Sequence, residues 1–140
     1  MFLLDTNVVS ELRKVGSSRV NRQVEQWAQD TSGVQTYISV ITVFELERGV
    51  LLTERRDPLQ GKVLRQWLQA RVLAKYTERI IPIQPDIAQR CAQLHVPDPM
   101  ADYDALIAAT ALVHGLILVT RNTNDFIRTG VKLLNPWHHQ

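Results

Sequence analysis

Asp5, Glu45, Asp104 and Asp125 are the side chains of this 140-residue sequence whose types and positions could do chemistry together. Asp5 closes an apolar run, Glu45 and Asp104 each fall in the first turn of an expected helix, and Asp125 lies in a polar loop that follows another apolar run. Carboxylates gathered in one place repel one another and raise their own pKa values. A divalent cation relieves that repulsion. A ligand set made of oxygen alone selects Mg²⁺ or Mn²⁺ over zinc, and such an ion keeps several waters and accepts phosphate oxygens. It lowers the pKa of a water and neutralises charge at phosphorus, which is what phosphodiester hydrolysis requires; a second ion about 4 Å away would hold both the attacking and the leaving oxygen.

Each acid also has a purely structural account. Asp5 or Asn7 can cap the following helix. Glu45 completes a capping box with Thr42, and a helical wheel turns it away from Val43, Leu46 and Val50. Asp104 suits any helix N-terminus, and Asp125 suits a turn. Asp102, two residues before Asp104, points elsewhere and reads as the cap of that helix. Singly these accounts suffice; their common placement favours the metal site.

That placement follows from the elements. Met1 to Leu4 is apolar without a helical period and stops at Asp5-Thr6-Asn7, the pattern of a strand buried on both faces. In open parallel sheets ligands bind beyond the carboxyl ends of strands, where Asp5 stands. Val8 to Arg13 is helix-compatible, and Ser18 can cap a helix running to about Gln29. Thr31-Ser32-Gly33 is a turn, and Val34 to Val40 a second strand. A helix is expected from Thr42 toward Thr53, then a charged bend to Pro58 and an amphipathic helix to about Lys75 carrying Leu59, Leu64, Val63, Trp67, Leu68 and Val72. These two helices form a hairpin whose apolar stripe reads first as core. Ile80 to Ile83 is a short run that Pro82 assigns to a strand end or edge. Pro85 opens a helix with Ile87, Ala88, Cys91 and Leu94 inward, and Pro97-Asp98-Pro99 stops it. Asp102 or Tyr103 opens another, apolar nearly all round from Ala105 to Val113 and therefore buried. Ala108 and Ala111 share a face with Asp104, which lets that helix approach the first strand. Gly115 ends it, Leu116 to Val119 is a third two-faced strand, and Val131 to Leu134 a last, shorter one. Strands alternating with helices imply an α/β fold with a mainly parallel sheet and right-handed crossovers.

Composition sets the bounds. A hydrophobic share of 45% and a charged share of 21% are ordinary for a globular protein, and the length suits one domain over residues 1–140. No stretch signals secretion or membrane insertion. The single cysteine, Cys91, excludes an internal disulfide, the four histidines form no HxxxH pair, and a reducing cytoplasm is the expected compartment. The formal charge is only +2. Between Arg55 and Arg79, however, Arg55, Arg56, Lys62, Arg65, Arg71, Lys75 and Arg79 face only Asp57 and Glu78, so this surface is expected to be positive, either as a solvated helix face or as a phosphate-contacting patch.

Four segments together resemble the motifs of the PIN domain: Leu3-Leu4-Asp5-Thr6-Asn7, then Glu45-Leu46 with Gly49, then Asp104 to Ala111, then Val119-Thr120-Arg121-Asn122. Within that family the sequence is most similar to the VapC-type and FitB-type toxins of bacterial toxin–antitoxin pairs, and Asn135-Pro136-Trp137-His138 is similar to the ending of FitB-like members. The resemblance spans essentially the whole chain. It implies a three-layer α/β/α fold with a five-stranded sheet and a Mg²⁺- or Mn²⁺-dependent endoribonuclease activity. It also implies a homodimer inhibited by a small antitoxin whose tail lies across the acidic groove, with a higher assembly on operator DNA. Asp5, Glu45 and Asp104 match the family's first three acids, Asp5 and Asp104 being the principal metal ligands; Thr6, Asn7, Thr120 and Asn122 are polar supports. The family's fourth acid often directly follows the Thr-Arg pair, where this sequence has Asn122, and Asp125 could substitute directly or through water. The 42–75 hairpin would grip the antitoxin and the second protomer, while Arg55, Arg56, Lys62 and Arg65 would guide RNA or pair with antitoxin acids. The alternative within the same resemblance is a weakly active module that serves mainly as co-repressor of the antitoxin's DNA binding.

Overall fold

A computed structural model describes residues 1–140. Five short strands, β1 (Phe2–Leu4), β2 (Thr36–Ser39), β3 (Ile80–Ile81), β4 (Ile117–Val119) and β5 (Leu133–Leu134), form one sheet in the order β3-β2-β1-β4-β5. Every neighbouring pair is parallel. Six α-helices cover it: α1 (Thr6–Leu12), α2 (Arg22–Asp30), α3 (Val40–Arg56), α4 (Pro58–Trp67), α5 (Pro85–Leu94) and α6 (Asp102–His114).

The unbroken apolar runs of the strands are explained by a sheet covered on both faces. Successive strand residues point to opposite sides, so Leu3 and Leu118 join a core with Ile87 and Cys91 of α5 and Ala105, Ala108 and Ala111 of α6. Their neighbours Leu4 and Val119 join a second core with Val8 and Val9 of α1, Trp27 of α2, Leu46 and Val50 of α3, and Leu68 and Val72. The result is the three-layer α/β/α arrangement. The connection leaving β1 runs to β2 and the one leaving β4 runs to β5, in opposite directions along the sheet, so the switch point lies beyond the carboxyl ends of β1 and β4.

Several boundaries differ from the sequence-based expectation, each for a local reason. The second helix starts at Arg22, not after Ser18, because the Asn21 side chain accepts from both the Gln23 and Val24 amides at 3.0 and 3.1 Å. The second strand is shorter than 34–40, since Gly33–Gln35 forms a 3-10 turn closed by the Thr36 hydroxyl on the Gly33 carbonyl. α3 begins at Val40, capped by Ser39, whose hydroxyl accepts from the Ile41 amide at 3.0 Å; Thr42 is therefore not the cap. Nor is Asp102 the cap of α6. Ala101 holds that position without a side-chain bond, and Asp102 lies 3.5 Å from His95 Nε2.

The helical hairpin forms, but the charged bend expected from Thr53 to Pro58 is confined to Asp57, because α3 runs on to Arg56 and the Asp57 side chain caps the Gln60 amide. α4 runs on through a π-helical segment, Leu68–Leu73. Gly61 permits the close approach of the two helices, for a Cβ there would stand 2.5 Å from Glu54 Cα. The apolar stripe divides. Leu68 and Val72 are core, whereas Leu59 is 81% exposed and Val63 55%.

Candidate metal centre

Asp5 is the first residue beyond β1, and its amide bonds to the carbonyl of Val119 at the end of β4 at 2.9 Å, which pins it inside the crevice. Its side chain is only 7% exposed. One carboxylate oxygen, Oδ1, accepts from the Thr6 amide at 2.8 Å and so caps α1. The other, Oδ2, accepts from the Thr120 hydroxyl at 2.8 Å and from Asn7 Nδ2 at 3.4 Å. Thr120, the residue after Val119, is fully buried. Asn7 ties the two strand ends together, its Oδ1 accepting from the Arg121 amide at 3.3 Å and its Nδ2 lying 3.4 Å from Thr120 Oγ1.

Glu45 joins this set through Thr6, whose hydroxyl donates to Glu45 Oε1 at 2.7 Å and lies 3.0 Å from Thr42 Oγ1. With Ser39 as the cap, Glu45 sits in the second turn of α3, so the capping-box account of this acid does not apply. Asp104 enters from the first turn of α6. Burial raises its pKa, and the charges of Asp125 and Glu45 raise it further. Asp5 is pushed up to about 6, chiefly by burial; the bonds from Thr120 and Thr6 oppose the shift, and the charges of Asp104 and Glu45 add to it. The four acids therefore share one electrostatic field.

No cation of the protein neutralises that field. The ion pairs of the molecule are Lys14–Glu11, Arg65–Glu47, Arg65–Glu54, His95–Asp102 and His139–Asp30, and none involves the four acids. The donors are carboxylate, hydroxyl and amide oxygens, the chemistry of a hard divalent cation. No three of the Asp, Glu, His and Cys side chains stand in full chelating geometry. The structure therefore shows the four acids as electrostatic neighbours and not as a closed cage, with Asp5 and Glu45 each bonded by hydroxyl donors. This fits an ion bound through one or two carboxylates, with water completing its shell.

The remaining expected site residues are placed as follows. Asp125 is exposed in the 3-10 turn Thr123–Asp125. Asn122 is exposed, and its amide donates to Thr120 Oγ1 at 3.1 Å. Arg55, Arg56 and Lys62 are exposed on the hairpin and unpaired. Arg65 differs, since its guanidinium grips Glu47 with two bonds of 2.6 Å and reaches Glu54 at 3.2 and 3.3 Å, so it fastens α4 to α3. Thr42, buried against Thr6, reads from sequence as a helix cap and not as a site residue; its place one turn before Glu45 is the available signal.

The PIN domain family model matches residues 2–132, nearly all of this framework including all four acids. The chain belongs to the PIN domain family. Within the family it falls among the VapC/FitB-type toxins. It is 36% identical over 146 residues to Toxin FitB of Neisseria gonorrhoeae, covering 99% of each chain, and 34% identical over 146 residues to VapC ribonuclease Y4jK of Sinorhizobium fredii, covering 98% of each. Among solved structures it is similar to FitAcB from Neisseria gonorrhoeae, with a TM-score of 0.88, 35% identity and 99% of both chains covered. It is also similar to FitAB bound to IR36 DNA fragment, with a TM-score of 0.89, 32% identity, and 100% of this chain and 98% of that one covered. No helix of this PIN domain is long and apolar enough to cross a membrane.

Proposed function

We propose that this PIN domain is the toxin of a type II toxin–antitoxin pair, an endoribonuclease that hydrolyses RNA phosphodiester bonds with the help of Mg²⁺ or Mn²⁺. The observation that carries this reading is Asp5, a buried acid at the switch point of the sheet, sharing its field with Glu45 and Asp104 and lacking any cationic partner. Asp5 and Asp104 would hold the cation, with Glu45 and Asp125 contributing directly or through water. When bound, the cation supplies a lowered water pKa and neutralises charge on the phosphate.

The chain's own groups do the positioning. Thr120, Thr6 and Asn7 bond both oxygens of Asp5, and the Thr6 hydroxyl bonds one oxygen of Glu45, which restrains the rotation of these two carboxylates. Asp104 is half-buried, and the burial and neighbouring acids that raise its pKa in the cation-free protein are what a bound cation would offset. Arg55, Arg56 and Lys62 add positive charge for the RNA backbone or for antitoxin acids, while the engagement of Arg65 with Glu47 and Glu54 leaves it the weakest candidate for that role.

In this role residues 1–140 act as one domain in the cytoplasm, with the 42–75 hairpin meeting the antitoxin and a second protomer. Exposed Leu51, Leu52, Leu59 and Val63 on that hairpin support a partner there. FitAB has been solved on DNA, which supports a second role on operator DNA together with the antitoxin. The test is RNA cleavage by the antitoxin-free protein. Wild type cleaves in Mg²⁺ and stops in EDTA, and Asp5→Asn folds but does not cleave. Undiminished cleavage by that variant or in EDTA refutes the proposal, and the absence of wild-type cleavage leaves the co-repressor role.

A further inference from the structure

Phe44 precedes Glu45 and Tyr103 precedes Asp104, so two acids of the shared field each carry an aromatic neighbour. The rings meet between α3 and α6 with centroids 5.2 Å apart and planes at 69°. Arg48, one helical turn beyond Phe44, sets its guanidinium carbon 5.0 Å from the centre of the Phe44 ring and 5.8 Å from that of Tyr103. Phe44 is 43% exposed, Tyr103 is 38% exposed, and Arg48 is exposed without a carboxylate partner.

The other cation–aromatic contacts are of a different kind. Tyr76, beside Lys75 and Arg79, is buried, and Trp137, beside Arg121, packs against the core. The Phe44–Tyr103–Arg48 cluster combines exposed ring surface with a positive charge that has no carboxylate partner, and its two rings directly precede Glu45 and Asp104 in the chain. Single-stranded nucleic acids are held by this combination, with bases stacking on aromatic rings and guanidinium planes while positive charge meets the backbone.

We propose that Phe44, Tyr103 and Arg48 form a stacking platform for one unpaired base of the RNA, beside the acids Glu45 and Asp104 whose cation would receive the adjoining phosphodiester. The inference rests on the ribonuclease reading and deepens it. A base docked on the platform fixes which internucleotide bond lies over the carboxylates, so these three are positioning residues. Arg48 also supplies the local positive charge that an acidic groove needs in order to admit a polyanion. Stacking tolerates any base, so the platform selects for single-stranded geometry rather than for sequence.

The probe is a single-stranded RNA oligonucleotide carrying aminopurine, whose fluorescence is quenched by stacking, titrated in Mg²⁺ into the full chain with Asp5→Asn to prevent cleavage. The platform predicts quenching on binding. Adding Phe44→Leu and Tyr103→Leu, which keep apolar bulk without a ring, abolishes the quench and weakens binding about tenfold to a hundredfold. Tyr103→Phe in place of Tyr103→Leu restores the quench. In the Asp5→Asn background the platform predicts an unchanged oligomeric state for the double leucine variant, and with Asp5 intact the same pair raises KM for the unlabelled oligonucleotide far more than it lowers kcat. Equal quenching and equal KM in wild-type and leucine rings overturn the platform while leaving the ribonuclease reading intact. So does a change confined to oligomeric state, which would assign the rings to a second copy of the chain. Failure of the wild type to cleave RNA in Mg²⁺ removes the ribonuclease reading and the platform with it.

Discussion

Asp5→Asn should stabilise the cation-free protein at neutral pH while destroying its activity. The carboxyl is pushed from an ordinary 3.8 to about 6, burial being the main cause, so the native state prefers it protonated. A raised native pKa in an acid means that stability is greatest below about pH 4, falls as pH rises through about 6, and is flat above that. The gap between 3.8 and about 6 corresponds to about 3 kcal/mol of stability lost at pH 7.5. Asparagine removes the buried charge but places an amide nitrogen or a poorer acceptor against the Thr120 hydroxyl, at a cost of about 1 kcal/mol. The net gain is about 2 kcal/mol, which for a chain of 140 residues raises Tm by about 7 °C. Thermal unfolding followed by circular dichroism in EDTA, from pH 4 to pH 8, measures the difference. It should shrink as pH falls and change sign near pH 4, where only the lost hydrogen bond remains. A variant destabilised by the same amount at every pH would refute the argument that burial of an unpaired carboxylate strains this site.

Other perturbations probe the supporting structure. Thr120→Val removes the hydroxyl that donates to Asp5 Oδ2; loss of a bond to the ionised form raises the native Asp5 pKa further, so the decline of apo stability still begins near pH 4 but extends to higher pH, and an unchanged upper end would contradict the role given to Thr120. Gly61→Ala drives a Cβ into the Glu54 backbone and should cost about 2 kcal/mol in urea unfolding; a neutral result would mean the hairpin spacing yields easily. Arg65→Ala leaves Glu47 and Glu54 facing each other without a cation, and faster amide exchange across the end of α3 is expected in low salt but not in high salt. Mg²⁺ at a hundredfold excess over its Kd should stabilise the wild type by about 2.7 kcal/mol, with little effect on Asp5→Asn; equal stabilisation of both would place the cation elsewhere.

The framework was legible where a single physical signal dominates. Leu3-Leu4 could be assigned to a two-faced strand because no helical period competes, and the position of Asp5 followed from the strand's end. Pro82 marked β3 as an edge, and the apolar circumference of α6 required its burial. Helix starts were less legible because caps compete. Ser39 and Thr42 are both good N-caps, and Ser39 prevails because β2 ends there with Ser39 in an extended conformation, φ −82° and ψ 151°. That three-residue difference moved Glu45 from the first turn to the second and changed its meaning. The hairpin stripe was ambiguous because periodicity shows which residues share a face without showing what covers it. Leu68 and Val72 meet the sheet, while Leu59 lies beyond the reach of the core. In the site, the positions of Asp5 and Asp104 could be read from strand and helix ends. The Thr6–Glu45 bond could not, since it joins residues 39 apart in the chain with no local pattern to announce it.

The most direct test of the account is a Mn²⁺ titration followed by water-proton relaxation, on the wild type, Asp5→Asn, Asp104→Asn and, as a control on an acid outside the crevice, Asp86→Asn. The account predicts a site in the wild type and in the control that is lost or weakened severalfold in both crevice variants. Equal Mn²⁺ affinity in all four proteins would contradict it.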